Sequence, residues 1–121
     1  MSKILFASGK CKDNEISKIK IFSGRSSAFR CSQMQINVFD EKMNPVDIFL
    51  SKISSFAGTE MELENLSTSF FSKVRDVSFR CFGNSANQGL VFEFFNPFRY
   101  PVTVYISLIG QEVSLNLVGK E

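Results

Sequence analysis

The stretch VFEFFNPFRYPVTVYISLIG, residues 91 to 110, decides the predicted fold, because two alternating apolar segments flank a loop with two prolines. Alternation of apolar and polar side chains with a period of two is typical of a β-strand with one buried face. Pro97 and Pro101 each lack a backbone donor, so neither can continue a ladder of hydrogen bonds. The sequence therefore predicts two antiparallel strands joined by a stiff corner, NPFRYP (96 to 101).

The alternation also divides the side chains of this stretch between two faces. One parity is expected to face the core: Leu90, Phe92, Phe94, Val102, Val104, Ile106 and Leu108. The other parity places Phe95, Tyr105 and Ile109 on an outer face. Contiguous apolar groups on an outer face are typical of an interface, unless another part of the chain covers them. Both interpretations stay open on the sequence alone.

The same period continues on either side. Residues 76 to 82 and 113 to 117 are predicted strands, which gives an antiparallel meander of four strands linked at 83 to 89, 96 to 101 and 110 to 112. Strands are also predicted at 18 to 22, 28 to 39 and 61 to 64. The strand 28 to 39 changes phase, because Phe29 and Cys31 share one parity whereas Met34, Ile36 and Val38 share the other. A β-bulge, or a strand that crosses between sheets, is expected near Ser32 and Gln33.

One short helix is predicted near 45 to 57. Asn44 is a good N-cap, Pro45 suits the first helical position, and Gly58 is a suitable stop. Several apolar residues have helical spacing: Val46, Phe49, Leu50, Ile53 and Phe56. The competing interpretation is a short strand, VDIFL (46 to 50), and residues 65 to 75 give no clear prediction.

These elements fit one domain, residues 1 to 121, since a chain of 121 residues with 44% apolar side chains can bury a core. About seven strands and one helix predict an all-β fold, an antiparallel β-sandwich of jelly-roll-like or immunoglobulin-like type. An OB-like barrel is the alternative. Cys31 and Cys81 have a spacing that suits an inter-sheet pair, but buried free thiols are favoured because three cysteines do not make a disulfide framework.

The composition removes several kinds of chemistry. The chain has no histidine, which excludes histidine-based triads and histidine-ligated zinc. It also has no Walker loop, no GxGxxG motif and no cysteine pair at zinc spacing. We therefore expect no catalytic residue, no cofactor and no metal. No apolar run approaches the roughly 20 residues of a membrane helix, and the sequence lacks a signal-peptide pattern. A cytoplasmic protein, or a virion protein if the source is viral, is expected.

Charge is unevenly distributed, with excess Lys and Arg over residues 1 to 30 and excess Asp and Glu over residues 40 to 64. One interpretation is a basic patch for nucleic acid, formed by Lys18, Lys20, Arg25 and Arg30. The other is that the two segments neutralise each other, within one chain or between identical chains.

Together these features favour a non-catalytic structural or attachment module that self-assembles or binds a protein partner, such as a capsid or tail component of a virion. The candidate partner-binding residues are Phe95, Phe98, Arg99, Tyr100, Tyr105 and Ile109. The alternatives are a single-stranded nucleic-acid-binding OB-like protein and a carbohydrate-binding β-sandwich in which Phe98 and Tyr100 stack on a sugar.

Overall fold

Eight β-strands and one short 3₁₀ helix account for most of the described chain. The computed structural model describes residues 2–22, 27–55, 60–81 and 89–114, with side chains for residues 3–21, 29–54, 65–78 and 89–111. The strands are β1 (Ser2–Cys11), β2 (Ile16–Phe22), β3 (Ser27–Phe39), β4 (Phe49–Ser55), β5 (Glu60–Ser67), β6 (Arg75–Cys81), β7 (Gly89–Phe95) and β8 (Val102–Ser114). The 3₁₀ helix, Thr68–Phe71, lies between β5 and β6.

The strands form two four-stranded antiparallel sheets. Sheet A has the order β1-β8-β3-β6 and sheet B the order β2-β7-β4-β5. Along the chain every step except β4 to β5 crosses from one sheet to the other. This strand order is that of a double-sheet jelly roll. The predicted β-sandwich is confirmed in its jelly-roll form, and the alternative of an OB-like barrel is wrong because the strands form two sheets.

The predicted meander of four C-terminal strands is wrong. β6 and β8 lie in sheet A, both paired with β3, whereas β7 lies in sheet B between β2 and β4. The turn expected at 110 to 112 is also wrong, because these residues lie inside β8. Alternation and short links look the same whether the next strand is a neighbour in one sheet or crosses to the other sheet.

The phase change in β3 is a β-bulge, the first of the two alternatives predicted for it. The register of β3 shifts between Cys31 and Gln33 against both of its neighbours, β6 and β8. On β8 the residue opposite Cys31 is Gly110. The bulge keeps Phe29, Cys31 and Met34 all buried, although their spacing changes parity.

The helix predicted near 45 to 57 is wrong, because residues 49 to 55 form β4 and no residue described between 45 and 55 is helical. The register of β4 shifts between Leu50 and Lys52 against both β5 and β7. This bulge brings Leu50 and Ile53 to the same buried side although they are three residues apart. Apolar residues three apart on one face imitate the helical period, which explains the error.

The core lies between the two sheets. All seven residues of the 90 to 108 stretch that were predicted to face the core are buried: Leu90, Phe92, Phe94, Val102, Val104, Ile106 and Leu108. Sheet A also contributes Leu5, Met34 and Ile36, and sheet B contributes Ile19, Ile21 and Leu50. The other face of each sheet therefore points away from the core.

Candidate interaction surface

The outer face of sheet A carries a stripe of apolar side chains across three strands. The ring of Phe6 on β1 lies 6.3 Å from that of Tyr105 on β8, centroid to centroid, and Tyr105 lies 5.9 Å from Phe39 on β3 in an edge-on arrangement. Ile4 on β1 lies directly opposite Ile109 on β8. We call these five residues the sheet A stripe. Cross-strand aromatic and aliphatic pairs of this kind stabilise a sheet face, but they leave its outer side apolar.

The edge of the stripe is open to solvent. Ile4 and Phe6 are 67% and 62% exposed, whereas Tyr105, Phe39 and Ile109 are half-buried by their neighbours. Among the described residues, no strand pairs with the other side of β1, and the 3₁₀ helix contacts β3, two strands away from β1. An exposed phenylalanine next to further apolar groups is the composition expected at the centre of an interface.

The remaining outward side chains in the middle of sheet A are neutral. They are Ser8 on β1, Gln35 and Asn37 on β3, and Thr103 and Ser107 on β8. Among the residues with described side chains, charged residues occur only toward the margins of this face, at Lys10, Arg30 and Asp76. A neutral centre with aromatic groups and a charged rim is typical of protein interfaces.

The outer face of sheet B has a different character. The register places Lys18, Glu93, Lys52 and Glu62 in one row across its four strands. A second row contains Ile16, Phe95 and Phe49. Sheet B thus combines a row of alternating charge with a short apolar row.

The structure separates the predicted partner-binding residues. Tyr105 and Ile109 belong to the sheet A stripe, whereas Phe95 lies on the outer face of sheet B, between Ile16 and Phe49. The single outer aromatic face inferred from the sequence is therefore two faces on opposite sides of the sandwich. The cause is again the crossing between β7 and β8.

The NPFRYP loop is a corner held by Asn96. This side chain is fully buried, and its Nδ2 donates to the carbonyl oxygens of Tyr100 (2.9 Å), Lys12 (3.2 Å) and Cys11 (3.4 Å). Its Oδ1 accepts from the backbone N–H of Phe98 at 3.0 Å. Asn96 therefore fastens the β7–β8 connection to the end of β1, and the stiff corner predicted from the prolines has a specific polar anchor.

The three candidate side chains at this corner have different roles. Phe98 is half-buried against the core and stacks on Tyr100, with ring centroids 4.9 Å apart. Arg99 and Tyr100 are exposed. Because the two rings cover each other on one side, the corner presents mainly Arg99 and the outer side of Tyr100.

The residues of the predicted basic patch do not form one cluster. Lys18 and Lys20 are exposed on β2 of sheet B, whereas Arg30 is exposed on β3 of sheet A. Arg25 lies outside the described residues. The described part of the patch is thus divided between opposite faces of the sandwich.

Asp47 forms a second polar anchor, next to a cleft of about 330 Å³ between β3 and the 3₁₀ helix. Its carboxylate accepts hydrogen bonds from the Thr68 hydroxyl (2.9 Å), the Ser69 backbone N–H (2.8 Å) and the Ser67 hydroxyl. Burial raises the pKa of Asp47, but these hydrogen bonds outweigh it and hold the pKa below its ordinary value. The hydrogen bonds of this carboxylate hold Ser67, Thr68 and Ser69, which lie in the segment 65 to 75 that had no clear prediction.

Two cysteines are buried free thiols, Cys11 and Cys31. Burial raises the pKa of Cys31 to about 11, against hydrogen bonds with the backbone of Gln33 and Ile109. Since Cys31 is a free thiol, the possible pair with Cys81 does not form. Within the ranges given above, no group of three acidic or cysteine residues is arranged to hold a metal ion, and no helix is long and apolar enough to cross a membrane.

Sequence reasoning missed Ile4, Phe6 and Phe39. The run Ile4 to Ala7 is apolar at every position, so it shows no alternation that would assign a face. For Ile4 and Phe6 the signal was present only in the pairing of β1 with β8, which a single sequence does not reveal. Phe39 follows Val38 in β3, so its parity already indicated the outer face.

No protein-family model matches the chain, and no curated protein matches it. Among solved structures, it is similar to the PRD1 vertex protein P5, with 9% sequence identity and a TM-score of 0.46, over 87% of this chain and 94% of that chain. The assignment of the jelly roll rests on the strand order of this chain itself.

Proposed function

We propose that this protein is a non-catalytic structural module that self-assembles, and that the outer face of sheet A is its contact surface. One observation carries the proposal, namely the sheet A stripe in the middle of a face that is otherwise neutral. Burying Ile4 and Phe6 would remove from water two of the most exposed large apolar side chains of the described chain. Full burial of one side chain of this size stabilises the buried state by about 1.5–3 kcal/mol.

The proposed occupant of the face is a second copy. A two-fold contact places the same patch on both subunits, so a charged patch would repel its own copy. The centre of sheet A carries no charge among its described side chains. Two copies of this apolar patch can therefore pack against each other without electrostatic repulsion. A virion component, such as a capsid or tail protein, is the specific form of this proposal, since double-sheet jelly rolls occur in viral capsids. That last step is an analogy between folds.

The test compares two substitutions of equally exposed apolar residues. Phe6→Ser removes the open edge of the stripe, whereas Met43→Ser changes a residue that is 63% exposed in the β3–β4 connection and is not a member of the stripe. We expect Phe6→Ser to lower the molar mass measured by light scattering at equal concentration, and Met43→Ser to leave it at the wild-type value. Equal masses for wild type and Phe6→Ser would overturn the proposed contact.

A further inference from the structure

The two edges of sheet B carry opposite charges. β2 forms one edge and β5 the other, and no strand in the described ranges pairs with the outer side of either. β2 presents Lys18 and Lys20, both exposed, whereas β5 begins with Glu60, Met61 and Glu62. Edge strands are templates for pairing, and charge on an edge decides which other edges it accepts.

The register shows how these charges are arranged. In the row Lys18, Glu93, Lys52, Glu62 the sign of the charge alternates at every strand. A parallel row begins with Lys20 on β2 and ends with Glu60 on β5. Opposite charges directly across neighbouring strands are favourable, and like charges there are unfavourable. Each row thus starts with a lysine at one edge and ends with a glutamate at the other.

The row between them is apolar. It runs through Ile19, Phe92, Ile53 and Met61, and the first three side chains are buried on the inner side of sheet B. The register therefore carries the same alternation of charged and apolar positions from β2 to β5.

The strand directions allow the rows to continue into another copy. β2 is antiparallel to β7, β7 to β4, and β4 to β5, so β2 and β5 run in opposite directions within one chain. A second copy set beside the first in the same orientation brings its β2 antiparallel to β5 of the first. In the register that extends the rows, Glu62 meets Lys18 of the second copy, Glu60 meets Lys20, and Met61 meets Ile19.

We infer that copies of this chain join head to tail, with β5 of one copy paired to β2 of the next. The inference rests on the proposed self-assembly and names a second contact for it. Pairing of β2 with another β2 brings lysines together, and pairing of β5 with β5 brings glutamates together, so only the unlike pairing is favoured. Such a heterologous contact produces a ring if the rotation between copies closes, and a filament if it does not. It leaves the outer face of sheet A free for its own contact.

The test is a charge exchange between two variants. The first carries Lys18→Glu with Lys20→Glu, and the second carries Glu60→Lys with Glu62→Lys. Alone, each variant has two edges of the same sign, so we expect no mass above that of the sheet A dimer in light scattering. When the two variants are mixed in equal amounts, the acidic edges of one variant match the basic edges of the other. We then expect the higher mass of the wild type to return. The matched control for the first variant, Lys42→Glu with Lys73→Glu, makes the same change in net charge at exposed loop positions, and we expect it to keep the wild-type mass.

The outcomes separate the two proposals. Suppose that the wild type assembles beyond a dimer. If either exchange variant alone keeps the wild-type mass, or if the mixture of the two variants does not restore the wild-type mass, the head-to-tail contact is wrong and the sheet A contact stands. If the exchange behaves as expected but Phe6→Ser has no effect, the sheet A contact is wrong and the edge contact stands. A wild type that is monomeric throughout overturns both.

Discussion

Gly110 on β8 lies against the carbonyl group of Arg30 on β3, so close that a Cβ added to the glycine would fall 2.0 Å from the carbonyl oxygen. The contact lies next to the β3 bulge, because Gly110 is opposite Cys31, after which the register of β3 shifts. The three nearest atoms are all backbone atoms of Arg30 and Cys31, which cannot move aside as a side chain can. We expect Gly110→Ala to destabilise the fold by about 3 kcal/mol, as overpacking against a rigid neighbour does. Urea unfolding would measure the change.

Gly9→Ala is the control for this prediction. A Cβ at Gly9 would lie 2.9 Å from a side-chain carbon of Ile19, which can change its rotamer. Its cost should be about 1 kcal/mol. Equal costs for the two glycines would show that the β3 bulge does not require Gly110.

Asn96 should be the most sensitive polar residue of the β7–β8 corner. Asn96→Ala leaves three carbonyl oxygens and the Phe98 N–H without their buried partner, at a cost of about 3 kcal/mol. Asn96→Asp should cost at least as much, because a carboxylate cannot donate to these carbonyls. Thermal unfolding measures both, with half-buried Asn37→Ala expected to change stability by less than about 0.5 kcal/mol. An Asn96→Asp variant as stable as wild type would contradict the assigned donors.

The local pattern in the sequence predicted the layers of the sandwich but not their connectivity. The parity of Phe92, Val104 and Ile106 assigned these residues correctly to the core, because burial of one face imposes a period of two. The phase change near Ser32 likewise predicted either a bulge or a strand that crosses between sheets, and the structure has the bulge. Whether β7 neighbours β8 or faces it across the core depends on contacts between distant strands, which local alternation does not record.

The candidate surface was predictable only in part for the same reason. Tyr105 and Ile109 were identified because their strand alternates clearly, and both belong to the sheet A stripe. The sequence analysis places Phe95 on the same face because the predicted meander makes β7 and β8 neighbours in one sheet. Phe6 was missed because its strand has apolar residues on both faces. The helix predicted near 45 to 57 was wrong because the β4 bulge gives apolar residues of a strand the spacing of a helix.

Stability should depend on pH through Asp47. Its pKa in the folded chain lies below the ordinary value of 3.8, so its carboxylate stabilises the fold above that pH. This contribution is lost as the pH falls through the lower, folded pKa. We expect wild type to be more stable than Asp47→Asn at pH 7, and the difference to shrink at pH 3. Denaturant unfolding at the two pH values tests this, and a difference that grows toward pH 3 would contradict it.

The buried thiols should be unreactive in the folded protein. Burial raises the pKa of Cys11 and Cys31, and thiolate is the form that reacts with iodoacetamide. In a Cys81→Ser variant, whose remaining cysteines are these two, we expect no alkylation at pH 8 without denaturant and complete alkylation in 6 M guanidinium, roughly the range that unfolds stable domains. Mass spectrometry counts the added groups. Rapid alkylation of either thiol in the folded variant would contradict its burial.

Self-assembly is the central claim, and the mass of the wild-type chain over a dilution series tests it most directly. Light scattering coupled to size exclusion should give a mass of at least about twice the 13.7 kDa of one chain at high concentration, decreasing on dilution as contacts dissociate. Raised salt should lower the mass further, since the edge contact joins lysine to glutamate. A mass of 13.7 kDa at every concentration and salt would contradict the claim.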